Sequence, residues 1–165
     1  MTSESARMST AAEAKFRIDA PNSQPRAVKI IALDSASEKV VQKLAQEKWN
    51  RATFLTAASF SAKNAAPGDW LRDLAGNSKT LTDEVDVADL VVVIAGAGEN
   101  AGAAATIGQL CRDKKVVSTA LVVGSDAKPD DALAKTLGLL RPHSLMVVIA
   151  SSDEYIEDML TALRA

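Results

Sequence analysis

The sequence predicts a three-layer α/β domain with a mainly parallel sheet. Three observations lead there. Short apolar runs at residues 28–33, 53–58, 88–95, 116–123 and 145–150 alternate with amphipathic stretches, the pattern of parallel strands covered by helices. The run Leu90-Val91-Val92-Val93-Ile94 is unbroken and mostly β-branched, which suits a strand buried on both faces. Several runs lead into Ser, Asp, Pro or Gly, residues that open helices or let the backbone turn.

Residues 1–26 are rich in Ser, Ala and charge, with Pro21 and Pro25 near their end. They are expected to form a mobile tail with one ordered piece around Phe16 to Ile18, and residues 27–165 a single domain. The first run, interrupted by Lys29, passes through Asp34-Ser35 into residues 37–49, where Val40, Val41, Leu44 and Ala45 fall at helical spacing and form one apolar stripe. A strand over 53–58 follows. Beyond Phe60, Pro67-Gly68 marks a turn, Asp69 is expected to start a short helix through Leu74 that Gly76-Asn77 ends, and residues 79–82 read as a short edge strand. Residues 88–95 form the central strand. It opens into Gly96-Ala97-Gly98-Glu99-Asn100-Ala101-Gly102 and a helix of small residues closing at Lys114-Lys115, whose charges suit a helix C-terminus. After the strand at 116–123, Pro129-Asp130-Asp131 starts a helix to residue 140. A last strand over 145–150 precedes an amphipathic helix over 153–164 that carries Tyr155, Ile156, Met159, Leu160 and Leu163.

Composition narrows the function. The chain has 165 residues, 47% hydrophobic and 24% charged, which excludes a wholly disordered or collagen-like chain. Its formal charge of −2 supplies no global attraction to nucleic acid or anionic lipid, so neither partner is expected. The single cysteine, Cys111, and single histidine, His143, disfavour zinc and Cys/His catalysis. No metal site and no catalytic residue are assigned. There is no apolar run of membrane-spanning length and no secretory signal pattern, so a cytoplasmic protein is expected.

In an open α/β sheet, ligands bind beyond the carboxyl ends of the strands. The loops there are residues 34–37, 96–102, 124–129 and 151–153. The second could present backbone N–H groups to an anion at a helix start, or its glycines could serve backbone geometry alone. Gly96 and Gly98 have no third glycine at dinucleotide spacing, where Ala101 stands, and no Gly-Lys-Ser/Thr phosphate loop exists. A usual nicotinamide or P-loop site is therefore not supported.

The segment Ala88-Asp89-Leu90-Val91-Val92-Val93-Ile94-Ala95-Gly96-Ala97-Gly98, with the helix and strand after it, resembles the strand and GTP phosphate loop of FtsZ, the bacterial tubulin homologue. His143-Ser144-Leu145-Met146-Val147-Val148-Ile149-Ala150-Ser151-Ser152-Asp153 is similar to the strand and turn before that family's central helix. The resemblance covers about residues 27–165 and implies an FtsZ/tubulin N-terminal-domain-like, Rossmann-like fold that lacks the activation domain. It also implies a degenerate site. Asp34, Ser35, Ala36, Ser37, Glu38 and Lys39 stand where the family has its first glycine cluster and a guanine-contacting asparagine. In the phosphate loop only Gly98 and Gly102 agree, and the second guanine-recognising asparagine falls on Ser152. The family's catalytic loop lies beyond the last residue given. Asp34, Glu99, Asp126 and Asp153 would place negative charge around the rim and repel phosphate, which makes GTP hydrolysis unexpected.

Other residues have plainer readings. His143 lies before a strand, at the sheet edge opposite the ligand loops, and reads as a surface or cap residue. Cys111 falls on the sheet-facing side of its helix, while Trp49 and Trp70 could anchor a partner or pack helix ends. The expectation is a noncatalytic ligand-binding or protein-interaction module, binding through Asp34, Ser35, Gly96, Gly98, Asn100, Gly102 and Ser152, with a nucleotide or phosphate as the implied ligand and a homo-oligomer or protein partner. The alternative is a nucleotide-binding protein or small-molecule enzyme that uses the Gly96 to Gly102 loop, with Asp34 and Asp126 as polar or metal-bridging groups.

Overall fold

The structure is a computed structural model that describes residues 24–61, 63 and 70–165. Most of the expected tail, the Pro67-Gly68 turn and Asp69 lie outside the described residues. Strand β1 (Val28–Ala32) leads to helix α1 (Ser35–Leu44) and strand β2 (Ala52–Thr56). A hairpin follows, β3 (Leu71–Asp73) and β4 (Ser78–Lys79), then α2 (Leu81–Asp86) and β5 (Leu90–Gly96). Helix α3 (Ala103–Lys114), β6 (Val117–Val123), α4 (Asp130–Leu140), β7 (Met146–Ile149) and α5 (Asp153–Ala162) complete the chain.

The sheet order is β4-β3-β2-β1-β5-β6-β7, parallel throughout except for the β3 and β4 hairpin at one edge. Alternation along each strand decides which layer it feeds. Val28, Ile30 and Ala32 of β1, with Leu90, Val92 and Ile94 of β5, pack on Val41 and Leu44 of α1 and Ile156 and Leu160 of α5. Ile31, Val91, Val93 and Ala95 face the other way, onto Val85 of α2, Ile107 and Cys111 of α3 and Leu140 of α4. Both faces of β1 and β5 are thus covered, which explains why these runs do not alternate with polar residues. Each fully buried aliphatic side chain contributes roughly 1.5–3 kcal/mol over its exposed state. The Rossmann-like, mainly parallel three-layer fold expected from the sequence is the fold observed.

Lys29 does not break β1. Its ammonium lies 2.9 Å from Glu84 of α2 and donates to Thr53 Oγ1 at 3.1 Å, so a cation inside an apolar run is paired and hydrogen-bonded, as burial requires. The aliphatic stem packs while the charge finds its partner.

Two expectations between residues 69 and 82 are corrected. Residues 71–73 form strand β3 instead of the end of a helix, because the Asp73 carboxylate accepts from the Ala75 and Asn77 amides at 3.0 and 2.9 Å and from Asn77 Nδ2 at 3.0 Å. This closes a turn in which Gly76 has φ +88°. Those bonds, led by the Asn77 side chain, also hold the Asp73 carboxyl below its ordinary range. The edge strand expected over 79–82 stops at Lys79. Leu81 and Val85, four apart and fully buried, form the inward stripe of α2.

Among the described residues, no helix is long and apolar enough to cross a membrane.

Candidate functional site

Numbered among themselves, the five parallel strands run second, first, third, fourth, fifth. The order reverses between β1 and β5, and the crevice of such a sheet opens beyond the carboxyl ends of the strands at that point. There the structure places a cleft of about 230 Å³ whose walls include Asp34, Ser35, Phe60, Glu99, Asn100 and Ala103.

Asp34 follows β1 and caps α1. Its Oδ1 accepts the Ser37 amide at 2.8 Å, and Ser37 Oγ accepts the Asp34 amide at 3.1 Å, a reciprocal capping box. Its Oδ2 accepts the Gly96 amide at 2.8 Å, joining the ends of β1 and β5 across the switch point. The residue is 8% exposed, so this carboxylate is spent on backbone. Gly96 is required here by close approach: a Cβ would lie 2.9 Å from Glu99 Cγ and 3.0 Å from the Ala36 methyl.

Several amides of the loop after β5 donate within the protein. The Ala97 amide donates to the Val123 carbonyl at 2.9 Å and the Glu99 amide to the Gly96 carbonyl at 3.1 Å. Gly98, at φ +78°, donates to Thr136 Oγ1 of α4 at 2.9 Å. Gly102 donates to Asn100 Oδ1 at 2.9 Å, an Asx turn, and Ala104 to the Ala101 carbonyl at 3.0 Å. A loop that cradles phosphate aims its amides at the ligand. These amides are already bonded within the protein.

The expected site residues therefore divide. Asp34, Ser35, Gly96 and Asn100 come together, and Gly102 joins them through Asn100. Gly98 lies beside Ala132 of α4 instead, where an added Cβ would sit 3.1 Å from the Ala132 methyl. Ser152 caps α5, its Oγ accepting the Tyr155 amide at 3.2 Å. It follows β7, three strands along the sheet from β1 or about 14 Å at 4.8 Å per strand, and is not part of the cleft wall. The acidic rim divides as well. Asp34 and Glu99 share the cleft, with Lys128 Nζ 3.9 Å from Glu99, while Asp153 pairs with Lys43 at 2.7 Å.

Phe60 and Thr136 were missed by sequence reasoning. Phe60 packs edge-on against Trp70, ring centres 5.0 Å apart, and nothing in its local sequence marks it as a cleft wall. Thr136 is one polar residue on an amphipathic helix. Trp49 closes the end of α1, its indole N–H donating to the Leu44 carbonyl at 2.7 Å.

His143 does lie at the opposite edge, packed so closely against α3 that a Cβ on Gly108 would fall 2.5 Å from its own. Its Nδ1 is buried without a hydrogen-bond partner. Burial first, then the nearby Arg112, lowers its pKa from the ordinary 6.5. Burial pushes the Cys111 thiol up to about 11, the behaviour of a packed, inert cysteine. Among the described residues there is no cluster of His, Cys, Asp and Glu that could hold a metal.

No protein-family model matches the chain, and no curated protein matches it. Among solved structures it is similar to translation elongation factor SelB from Methanococcus maripaludis in complex with the GTP analogue GppNHp, at 12% identity and a TM-score of 0.48, over 84% of this chain and 32% of that one. The apo form of the same factor gives 11% identity and a TM-score of 0.47, over 81% and 35% of the two chains. The chain thus spans about a third of the length of these structures. Similarity at this level does not bear on what the chain binds.

Proposed function

We propose that this chain is a noncatalytic, Rossmann-like binding or protein-interaction module, with FtsZ-like element order and switch-point loops closed against nucleotide phosphate. One observation carries the reading: the amides of Gly96, Ala97, Gly98, Glu99 and Gly102 all donate to acceptors within the protein. Charge and size support it. Asp34 and Glu99 border the cleft, and a triphosphate brought there would meet these carboxylates, with Lys128 already paired to Glu99 at 3.9 Å. At about 230 Å³ the cleft is also smaller than the roughly 300–1,000 Å³ of usual small-molecule sites.

The test is direct. Purified protein incubated with GTP or ATP and magnesium is expected to release no phosphate above the buffer rate. Its melting temperature should not move at millimolar nucleotide. A ligand at a hundred times its Kd stabilises by about 2.7 kcal/mol, roughly 5–10 °C for a domain of this size, so binding at 10 μM affinity would be seen. Turnover or such a shift overturns the proposal.

A second reading keeps the cleft for a small polar ligand. The exposed Ser35 hydroxyl at its wall and the absence of an acidic side chain from the first turn of α3 support it. The same thermal-shift measurement with small neutral polyols and amides separates the two readings.

A further inference from the structure

A second cavity opens at the end of the sheet opposite the switch point. It holds about 310 Å³, within the roughly 300–1,000 Å³ of usual small-molecule sites. It lies where the end of α3 and the start of β6 meet the helical turn Arg141–His143 that precedes β7. Val116, Val117, Pro142 and Leu145 line it, and Val117 and Leu145, 46% and 79% exposed, leave apolar surface open there.

Bonds between these elements hold the walls in place. The Leu145 amide donates to the Ser118 carbonyl at 2.8 Å, Ser118 Oγ donates to the His143 carbonyl at 2.9 Å, and Arg112 Nη1 donates to the Pro142 carbonyl at 3.1 Å. Gly108 of α3 admits His143 so closely that a Cβ would stand 2.6 Å from the His143 carbonyl oxygen. The pocket is thus formed before a ligand arrives.

Its charge is one-sided. Arg112 lines the pocket, no Asp or Glu does, and Arg112 makes no ion pair among the described residues. Its partners are neutral: besides the Pro142 carbonyl, Gln109 Oε1 accepts from Nη2 at 2.7 Å. Of the five N–H donors of a guanidinium, one is left on each terminal nitrogen and one on Nε. The group is therefore oriented while its charge stays uncompensated. His143, another lining residue, has its Nδ1 buried without a hydrogen-bond partner, a second unmet polar group.

We propose that this pocket binds a small monocarboxylate with an apolar body, its carboxylate on the Arg112 guanidinium and its body against Val117, Pro142 and Leu145. Charge complementarity selects the class, because the guanidinium fork matches the two oxygens of a carboxylate. A cation would meet Arg112 unfavourably, a neutral apolar molecule would leave its charge unanswered, and a bare inorganic anion would leave the apolar walls uncovered. The site is separate from the switch-point cleft and does not depend on whether that cleft takes nucleotide.

His143 is the chain's only histidine, so its imidazole proton signals report on this pocket. Hexanoate titrated into the full chain at constant neutral pH, followed by proton NMR, tests the proposal. A saturable shift with a dissociation constant on the order of a millimolar is expected for a ligand of this size, with nuclear Overhauser contacts from hexanoate to the Val117 and Leu145 methyls. Hexanamide keeps the body without the charge, and acetate the charge without the body; each should bind at least about fivefold more weakly. Arg112→Gln should weaken hexanoate binding by the same factor. Leu145→Glu changes an exposed side chain and should leave the melting temperature unchanged, yet abolish binding by setting a carboxylate beside Arg112. The proposal is overturned if no saturable shift appears up to about 20 mM, if hexanamide or acetate binds as well as hexanoate, or if either folded variant binds hexanoate as the parent does.

Discussion

Replacing Asp34 by alanine separates a structural carboxylate from one held in reserve for a ligand. Two bonds vanish together. Loss of the N-cap bond to the Ser37 amide, 2.8 Å long, costs about 0.5–2 kcal/mol. The Gly96 amide, held at 2.8 Å by Oδ2, is left buried without its acceptor, which costs about 1–3 kcal/mol more. The sum is about 2–4 kcal/mol, discounted for overlap because both bonds use one carboxylate. At about 2–4 °C per kcal/mol for a domain of this size, the melting temperature should fall by roughly 5–15 °C. Urea unfolding followed by far-ultraviolet circular dichroism measures it, with Ser35→Ala, a neighbouring exposed cleft residue, expected within about 0.5 kcal/mol of the parent. If Asp34→Ala proved as stable as the parent, or more stable, the capping account would be refuted and the carboxylate reassigned to binding.

Three further outcomes follow from the same geometry. Gly98→Ala should destabilise by about 1–2 kcal/mol, because φ is +78° and a Cβ meets the Ala132 methyl at 3.1 Å; Gly138→Ala, in α4 with nothing within 4 Å, should stabilise by about 0.5–1 kcal/mol, and equal effects in urea midpoints would contradict this contrast. The lowered pKa of His143 means that the unfolded chain binds a proton near pH 6.5 that the folded chain resists, so its share of stability is complete above pH 6.5 and declines as pH falls towards the folded value. Urea midpoints at pH 7.5 and 5.5 should show the drop, and His143→Gln should flatten it. With its thiol pushed from 9.0 to about 11, Cys111 should carry about a hundredfold less thiolate and react with a disulfide reagent at pH 8 at least that much more slowly in the folded chain than in urea.

The fold was legible because burial on two faces leaves a mark in one dimension. Leu90 to Ile94 can be apolar without interruption only when helices cover both sides, and Val41 and Leu44 recur at helical spacing because a single stripe of α1 meets the sheet. The hairpin was not legible. Asp73, Gly76 and Asn77 read as a helix end, and the choice of a strand turn depended on β2 being available to pair with β3, a contact between residues distant in sequence.

The candidate site shows the same division. Sequence alone placed Asp34, Ser35 and Asn100 in loops at the carboxyl ends of strands, and the cap at Asp34 follows from residue type. Strand order then decided which loops are neighbours: β1 lies beside β5, bringing Asp34 to Gly96, while β7 goes to the far edge and takes Ser152 with it. Local chemistry fixes which elements form, since each helix and strand reports its own burial. Which ones become adjacent is settled by long-range pairing, and no residue's neighbours along the chain encode whether an amide such as that of Gly98 will meet a ligand or Thr136.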